Sequence, residues 1–467
     1  APFEENGVWY LPFSTLYYNI SDAFYYDGLA LLYTDPLQTY SATPGESFYT
    51  DSDGIKYTLT YQPCYFKDGS LCIALDYLKL MDYSYYTVDD TMKSIWVFND
   101  WSEQPRASLL KDTKARTQAG IKNDIVASLA TGDVVTVLEQ GASWSQVQTQ
   151  TGLIGYVQNK MLGEIKEEAR AVPDGRPLPK YTNIAMDEMV VMGWHQVFSE
   201  SGYSQLDDII STAKGMNVIC PTWFTIKDND GNIQNLGEKK YVTKAHKAGL
   251  QVWVMLDDIN ISTDGLQVFG TTSHRKTLIA AVIDAVKELG ADGINLDVET
   301  IKSDVGPSYI QFIRELSAAC RKEKLVLSVD NPVPEDFTSH YDRAEQGVVA
   351  DYVIIMGYDE HYAGSEEAGS VASHDFVERG ITRTLEEVPK EKVINAVPFY
   401  TRFWKTDPDG TVSSEALGMN AADEKVANNN AEKVWDDTTK QYYVEIDYNG
   451  SLYQMWMEEE TSIEEKM

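Results

Sequence analysis

The sequence is short of cysteine, of basic residues and of long apolar runs, and each shortage excludes something. Four cysteines among 467 residues cannot build a disulfide-stapled scaffold. Cys64 and Cys72 are eight apart in a strand-rich stretch and could pair, whereas Cys220 and Cys320 sit in apolar runs and read as buried thiols. No CxxC occurs, and the six histidines show no HExxH spacing, so a structural metal site is not expected. Basic residues number 39 against 72 acidic, a net charge of −33. Such a surface repels phosphate backbones and anionic lipid, which excludes nucleic acid as the expected partner. No run of 18 apolar residues exists, so no membrane-inserted helix is expected. The first residue is Ala1 rather than an initiator Met, consistent with a removed leader and an extracellular or wall-associated protein.

What remains is ordinary globular composition, 43% hydrophobic and 24% charged, at a length suited to about three domains. Residues 1–105 hold fifteen of the 29 tyrosines, with no Lys or Arg before Lys56. Alternating runs at Lys56–Tyr61 and Ser70–Leu75, broken by Asp53-Gly54 and Asp68-Gly69, predict a small β-rich domain. Its tyrosines either stack on sugar rings or simply suit strands. Residues 106–163 show five short strand signals separated by glycine turns, which predict a small barrel. Residues 164–180 are charged and carry three prolines, a linker composition.

From Tyr181 the texture changes. Apolar runs at Glu188–Trp194, Met216–Pro221, Val252–Leu256, Gly293–Val298, Leu325–Val329, Tyr352–Met356 and Val393–Pro398 alternate with helical stretches such as Arg275–Leu289 and Tyr309–Glu323. Buried parallel strands read this way. The expected fold is a (β/α)8 TIM barrel over 181–467, with seven strands countable and an eighth missing. No glycine-rich phosphate loop follows the first run, which disfavours a dinucleotide fold. A hairpin around Asn449-Gly450 spans 441–457, and Thr461-Ser462-Ile463-Glu464 reads as a capping box.

The chemistry concentrates in Asp292-Gly293-Ile294-Asn295-Leu296-Asp297-Val298-Glu299. Strand side chains alternate, so Ile294, Leu296 and Val298 face the helices while Asn295, Asp297 and Glu299 face inward. Neighbouring carboxylates with partial burial raise one another's pKa, and Glu299 stands at the C-terminal strand end, where such barrels do chemistry.

This segment resembles the DGxDxDxE signature of family 18 glycoside hydrolases, the chitinase-like enzymes. Met356-Gly357-Tyr358-Asp359-Glu360-His361 is similar to the family's sixth-strand motif, in the YDEH form of spore and wall N-acetylglucosaminidases. Val397-Pro398-Phe399-Tyr400 with Arg402 and Trp404 resembles the seventh-strand segment, and Thr222-Trp223-Phe224 the second. The 106–163 unit resembles bacterial SH3 domains, some of which bind wall peptides while others are spacers. Lys67–Leu78 weakly resembles the N-terminal domain of copper amine oxidases, without a copper site.

The resemblance implies a retaining, substrate-assisted glycosidase with no metal and no cofactor. Glu299 would be the acid and then the base, Asp297 would orient the substrate acetamide, and Tyr358 would donate to its oxygen. Asn295, Asp359, Tyr400, Asn331, Trp223 and Trp404 are the expected substrate-binding residues. Trp194 and Trp253 either line the cleft or pack against helices, and His195 and His361 read as hydrogen-bonding residues. Asn295 stands where many chitinases have Asp, so Asp297 is expected to lack a proton-sharing neighbour. The implied substrate is a polysaccharide containing N-acetylglucosamine, peptidoglycan or chitin. A glycan-binding protein without turnover is the alternative. The family's eighth strand carries a tryptophan beneath the sugar site, so a chain without it is expected to turn over poorly until extended.

Overall fold

The computed structural model describes residues 1–89, 93–172, 175–259 and 262–467; the side chains of Glu200 and Ser201 are also excluded. Two compact units emerge: 1–34 with 39–180, and 35–38 with 181–467.

In the first unit, Phe3–Glu5, Val8–Pro12, Ser70–Ala74 and Cys64–Lys67 form a four-stranded sheet. A five-stranded meander runs from Phe24–Tyr26 to Lys56–Thr58. The tyrosines of this region build its core: Tyr10, Tyr33, Tyr49 and Tyr77 are all buried, and Tyr49 stacks on Tyr57 at 4.9 Å. Cys64 and Cys72, which their spacing left free to pair, are free thiols. Cys64 lies opposite Ile73, and Cys72 opposite Tyr65. Directly opposed residues share a face and successive ones alternate, so the two thiols point to opposite sides of the sheet.

The glycine-punctuated segment is a single seven-stranded antiparallel sheet. Its last strand, Lys166–Ala169, pairs with Glu103–Ser108. The charged stretch expected to be linker thus begins as an edge strand, because its backbone completes a ladder whatever its side chains prefer. Pro173 and Asp174 of that stretch lie outside the described residues.

The second unit is built on seven parallel strands in sequence order: Met192–His195, Val218–Pro221, Gln251–Asp257, Gly293–Asp297, Val326–Pro332, Tyr352–Met356 and Val393–Ala396. They match the seven apolar runs one for one. A helix follows each of the first six. Local signals set the two longest. Thr272–Leu289 stops at Gly290, whose φ of 73° costs glycine little. Gly306–Glu323 starts with Pro307 in its first turn, where the missing N–H is harmless. Gly293 is glycine for a steric reason: an added Cβ would lie 2.8 Å from the Val326 carbonyl oxygen.

The sheet curls into a half-barrel. Strands one and four are three spacings apart, roughly 14 Å in a flat sheet. The Trp194 indole of strand one nevertheless donates to Asn295 Oδ1 of strand four at 3.0 Å. The outer face is dry: Ile294, Leu296 and Val298 join Val254, Leu327 and Val329 in one core with the helices.

Beyond strand seven the chain leaves the parallel sheet. Tyr400–Thr406, Val412–Gly418, Val434–Asp436, Gln441–Tyr448 and Ser451–Met457 form an antiparallel sheet. The predicted hairpin closes at Tyr448 opposite Ser451. The capping box is shifted from its expected place: Glu459 caps and Ser462 reciprocates, starting a short helix at Glu460.

Candidate active site

Strand register brings three aspartates level on the inner face. Asp257 of strand three lies directly opposite Asp297 of strand four. Strand five pairs Val329 with Leu296, so Asp330 comes next beside Asp297. Below them Asn295 is fully buried and saturated. Its amide donates to Ser328 Oγ (3.0 Å) and Asp330 Oδ1 (2.8 Å), and its oxygen accepts from Trp194 and the Cys220 thiol. Asn295 therefore braces the site from beneath and is not positioned as a sugar contact.

Asp297 is half-buried, and its Oδ1 has no hydrogen-bond partner. Burial, followed by the charges of Glu299, Asp257 and Asp258, pushes its carboxyl up to about 7. Asp330 is fully buried and held well above the usual carboxylate range, by burial first and then by Asp297. Two such carboxyls cannot both ionise cheaply, so the charge of one favours the protonated form of the other. Asp330, on the next strand, is thus an electrostatic neighbour of Asp297.

Glu299 stands two residues further along, exposed at the strand mouth. Its carboxyl is raised by the apolar and protein mass around it, then by Asp258, Asp359 and Asp257. Its backbone is clamped on both sides. Asp258 Oδ1 accepts the Glu299 N–H (3.0 Å) and Asp258 Oδ2 the Thr300 N–H (3.0 Å), while the Tyr341 hydroxyl donates to the Glu299 carbonyl (3.0 Å). Tyr358 follows strand six, half-buried, and burial together with Asp330 and Asp297 keeps its hydroxyl protonated. Its ring meets Tyr400 edge-on at 6.3 Å, and the Tyr400 hydroxyl donates to Asp359 Oδ1 at 2.5 Å. Asp359 itself is exposed, with a φ of 61°. Among the described residues, no Lys or Arg forms an ion pair with Asp257, Asp258, Asp297, Glu299, Asp330 or Asp359.

Glu299, Asp297, Tyr358, Tyr400 and Asp359 thus gather at one mouth, linked by contact or by mutual electrostatic influence. Besides Asn295, three expected substrate contacts do not join them. Asn331 is fully buried and exchanges hydrogen bonds with Gln346 (2.7 and 3.0 Å), because it sits one residue out of phase with Asp330. Trp223 is 1% exposed and packs edge-on to Tyr241 at 4.9 Å. Trp404, also 1% exposed, lies in the antiparallel sheet and donates to the Gly369 carbonyl. Trp253 is buried against Tyr352. His195 bonds Tyr241 and Gln205, and His361 bonds the Ser370 carbonyl. Asp257, Asp258, Asp330 and Tyr341 went unrecognised in the sequence. Three of them had a signal: an acid at the C-terminal end of an apolar run.

Comparison with known proteins agrees with this geometry. The family model described as glycosyl hydrolases family 18 matches residues 154–467, and that described as bacterial SH3 domain matches residues 111–163. The uncharacterized glycosylase YvbX of Bacillus subtilis is 28% identical over 43% of this chain and 60% of its own length. A cortical fragment-lytic enzyme of Bacillus anthracis is 21% identical over 48% of this chain and 54% of its own. The chain spans about half to three fifths of the length of these curated relatives. Two solved structures share the fold. One is the C-terminal domain of a putative chitinase from Desulfitobacterium hafniense (TM-score 0.54, 19% identity, 59% of this chain and 88% of that one). The other is the Bacillus cereus spore cortex-lytic enzyme SleL (TM-score 0.53, 18% identity, 59% and 66%). With a matching model that spans two thirds of the sequence and a half-barrel bearing the acid cluster at its mouth, the chain belongs to glycosyl hydrolases family 18.

Proposed function

We propose that this chain is a retaining glycosidase that hydrolyses β-1,4 bonds at N-acetylglucosamine in a wall polymer, peptidoglycan or a chitin-like chain, outside the cell. The observation that carries the reading is the pairing of Asp297, with one buried and unpartnered carboxylate oxygen, with the raised acid Glu299. Protonated Glu299 donates its proton to the glycosidic oxygen as the bond to the anomeric carbon breaks. The substrate's acetamide oxygen attacks that carbon from the opposite face, giving an oxazolinium ion. Ionised Asp297 accepts the acetamide N–H and stabilises the ion's positive charge, while Asp330, held well above the usual carboxylate range, keeps its own proton. Tyr358 donates to the acetamide oxygen. Glu299, now ionised, takes a proton from the water that opens the oxazolinium, and the β configuration returns. No enzyme nucleophile is required, the known exception to the two-carboxylate scheme. The spore-cortex relatives support a peptidoglycan substrate.

The test is hydrolysis of a fluorogenic N-acetylglucosamine oligomer and of purified peptidoglycan by wild type and Glu299→Gln. Turnover by wild type and its loss in the variant are expected. Glycan binding without turnover by wild type would overturn the enzymatic reading. Turnover surviving Glu299→Gln would overturn the assignment of the acid.

A further inference from the structure

The first unit contains a pocket that the glycosidase reading does not use. It opens between the hairpin Tyr85–Asp89/Ser94–Phe98 and the seven-stranded sheet, and has a volume of about 420 Å³. Tyr85, Phe98, Trp101, Arg106, Thr151 and Arg170 are among the residues that line it. Its walls are firmly joined. The Thr87 hydroxyl donates to the Thr151 carbonyl, and Gly152 approaches so closely that an added Cβ would lie 2.8 Å from the Trp96 ring.

The charge in this pocket runs against the rest of the molecule. In a chain of net −33, two guanidiniums face one cavity, and among the described residues neither has an ion-pair partner. Among the described residues, Arg106 donates to the Ala169 carbonyl (3.2 Å) alone, and its Nε has no partner. Arg170 donates to the Gln148 side-chain oxygen (3.3 Å) and lies over the Phe98 ring at 4.1 Å. Burial and the nearby Arg106 charge both disfavour protonated Arg170, opposed only by Asp100. Asp100 is itself engaged by Ser102 and Gln104. Two arginines against one aspartate leave a single positive charge. The Trp101 indole N–H also lacks a partner among the described residues.

We propose that this pocket binds a monoanion, a carboxylate carried on a small apolar or ring-shaped body. Guanidinium forks suit a carboxylate's two oxygens. The faces of Tyr85, Phe98 and Trp101 accept the body, and the volume fits a dipeptide or a single sugar. The inference stands apart from the activity proposed for the second unit.

The experiment is calorimetric titration of the full chain with two carboxylate probes, N-acetylmuramic acid and acetyl-D-alanyl-D-alanine, each against its neutral amide. Binding of at least one acid, with its amide about tenfold weaker or worse, is expected. Binding of the sugar acid alone, or of the dipeptide alone, identifies which body the pocket takes. Arg170→Gln should reduce that binding about tenfold and leave oligomer hydrolysis unchanged. Glu299→Gln should leave it intact, which separates this pocket from the catalytic mouth. No binding of either acid, equal binding of acid and amide, or affinity unaffected by Arg170→Gln would overturn the proposal. The acid-against-amide comparison uses wild type alone and holds even if the variant misfolds.

Discussion

Two groups of acids in the second unit are built in opposite ways. Just past the last strand of the antiparallel sheet, Glu458 is fully buried, but Lys466 meets it at 2.5 Å and Gln441 and Ser462 fill its remaining oxygen sites. Between helices, Arg275 and Glu315 pair with almost no exposure. At the mouth of the parallel sheet, Asp257, Asp297 and Asp330 stand level beneath the exposed Glu299, and among the described residues none of the four pairs with a Lys or Arg. Burying an uncompensated carboxylate is costly, so it survives where protonation or a ligand relieves it. The paired acids hold the fold together. The unpaired ones keep raised pKa values ready for proton transfer.

This contrast can be broken from either side. Glu299→Gln should lower kcat by about 10²–10⁴-fold, the usual contribution of a general acid, without loss of thermal stability. Lys466→Met should do the reverse, costing about 3–5 kcal/mol of stability by stranding Glu458 while leaving KM unchanged in the molecules that fold. Denaturant unfolding beside oligomer kinetics reads both.

Asp297 allows a pH test. The folded carboxyl holds its proton to about 7, whereas an unfolded Asp releases it near its ordinary value of 3.8. The folded state therefore binds the extra proton between these values. The stability from this group is complete below the lower value and is lost as pH rises through the upper one. Asp297→Asn removes that loss. Its melting temperature should exceed wild type by a few degrees in mildly alkaline buffer and match it in acid. An equal shift at both ends would refute the raised pKa.

Smaller effects sharpen the boundary. Asp258→Ala frees the Glu299 and Thr300 N–H groups, and kcat should fall about tenfold as the acid loses its clamp, with KM little altered. Asp258→Asn should recover part of that loss by restoring an acceptor. Trp194→Phe removes one hydrogen bond to Asn295 and should cost about 1 kcal/mol, visible in unfolding and not in the pH profile.

How far the sequence could be read depended on the range of the interaction. All seven parallel strands were legible, because a strand covered on both faces must be apolar throughout. The facing of Asp297 and Glu299 followed from alternation alone. The same rule was not carried to strand five, where parity sends Asp330 inward and Asn331 toward Gln346. Trp223 and Trp404 fall in recognisable motifs, but a motif does not reveal on which side of a wall an indole packs. The Lys166–Ala169 strand was hidden because charged side chains on an edge strand look like linker.

The chain by itself therefore determined the periodic features: the strand count, the inner and outer faces of strand four, and the acid at its end. Tertiary structure alone decided which aspartates stand level, that Asp330 lies beside Asp297, that Asp258 and Tyr341 clamp Glu299, and that Arg106 and Arg170 meet in one pocket. Alternation along a strand is local and written in consecutive residues. Register between strands and approach across a pocket depend on how distant segments pack, and burial then sets the charge each group can carry.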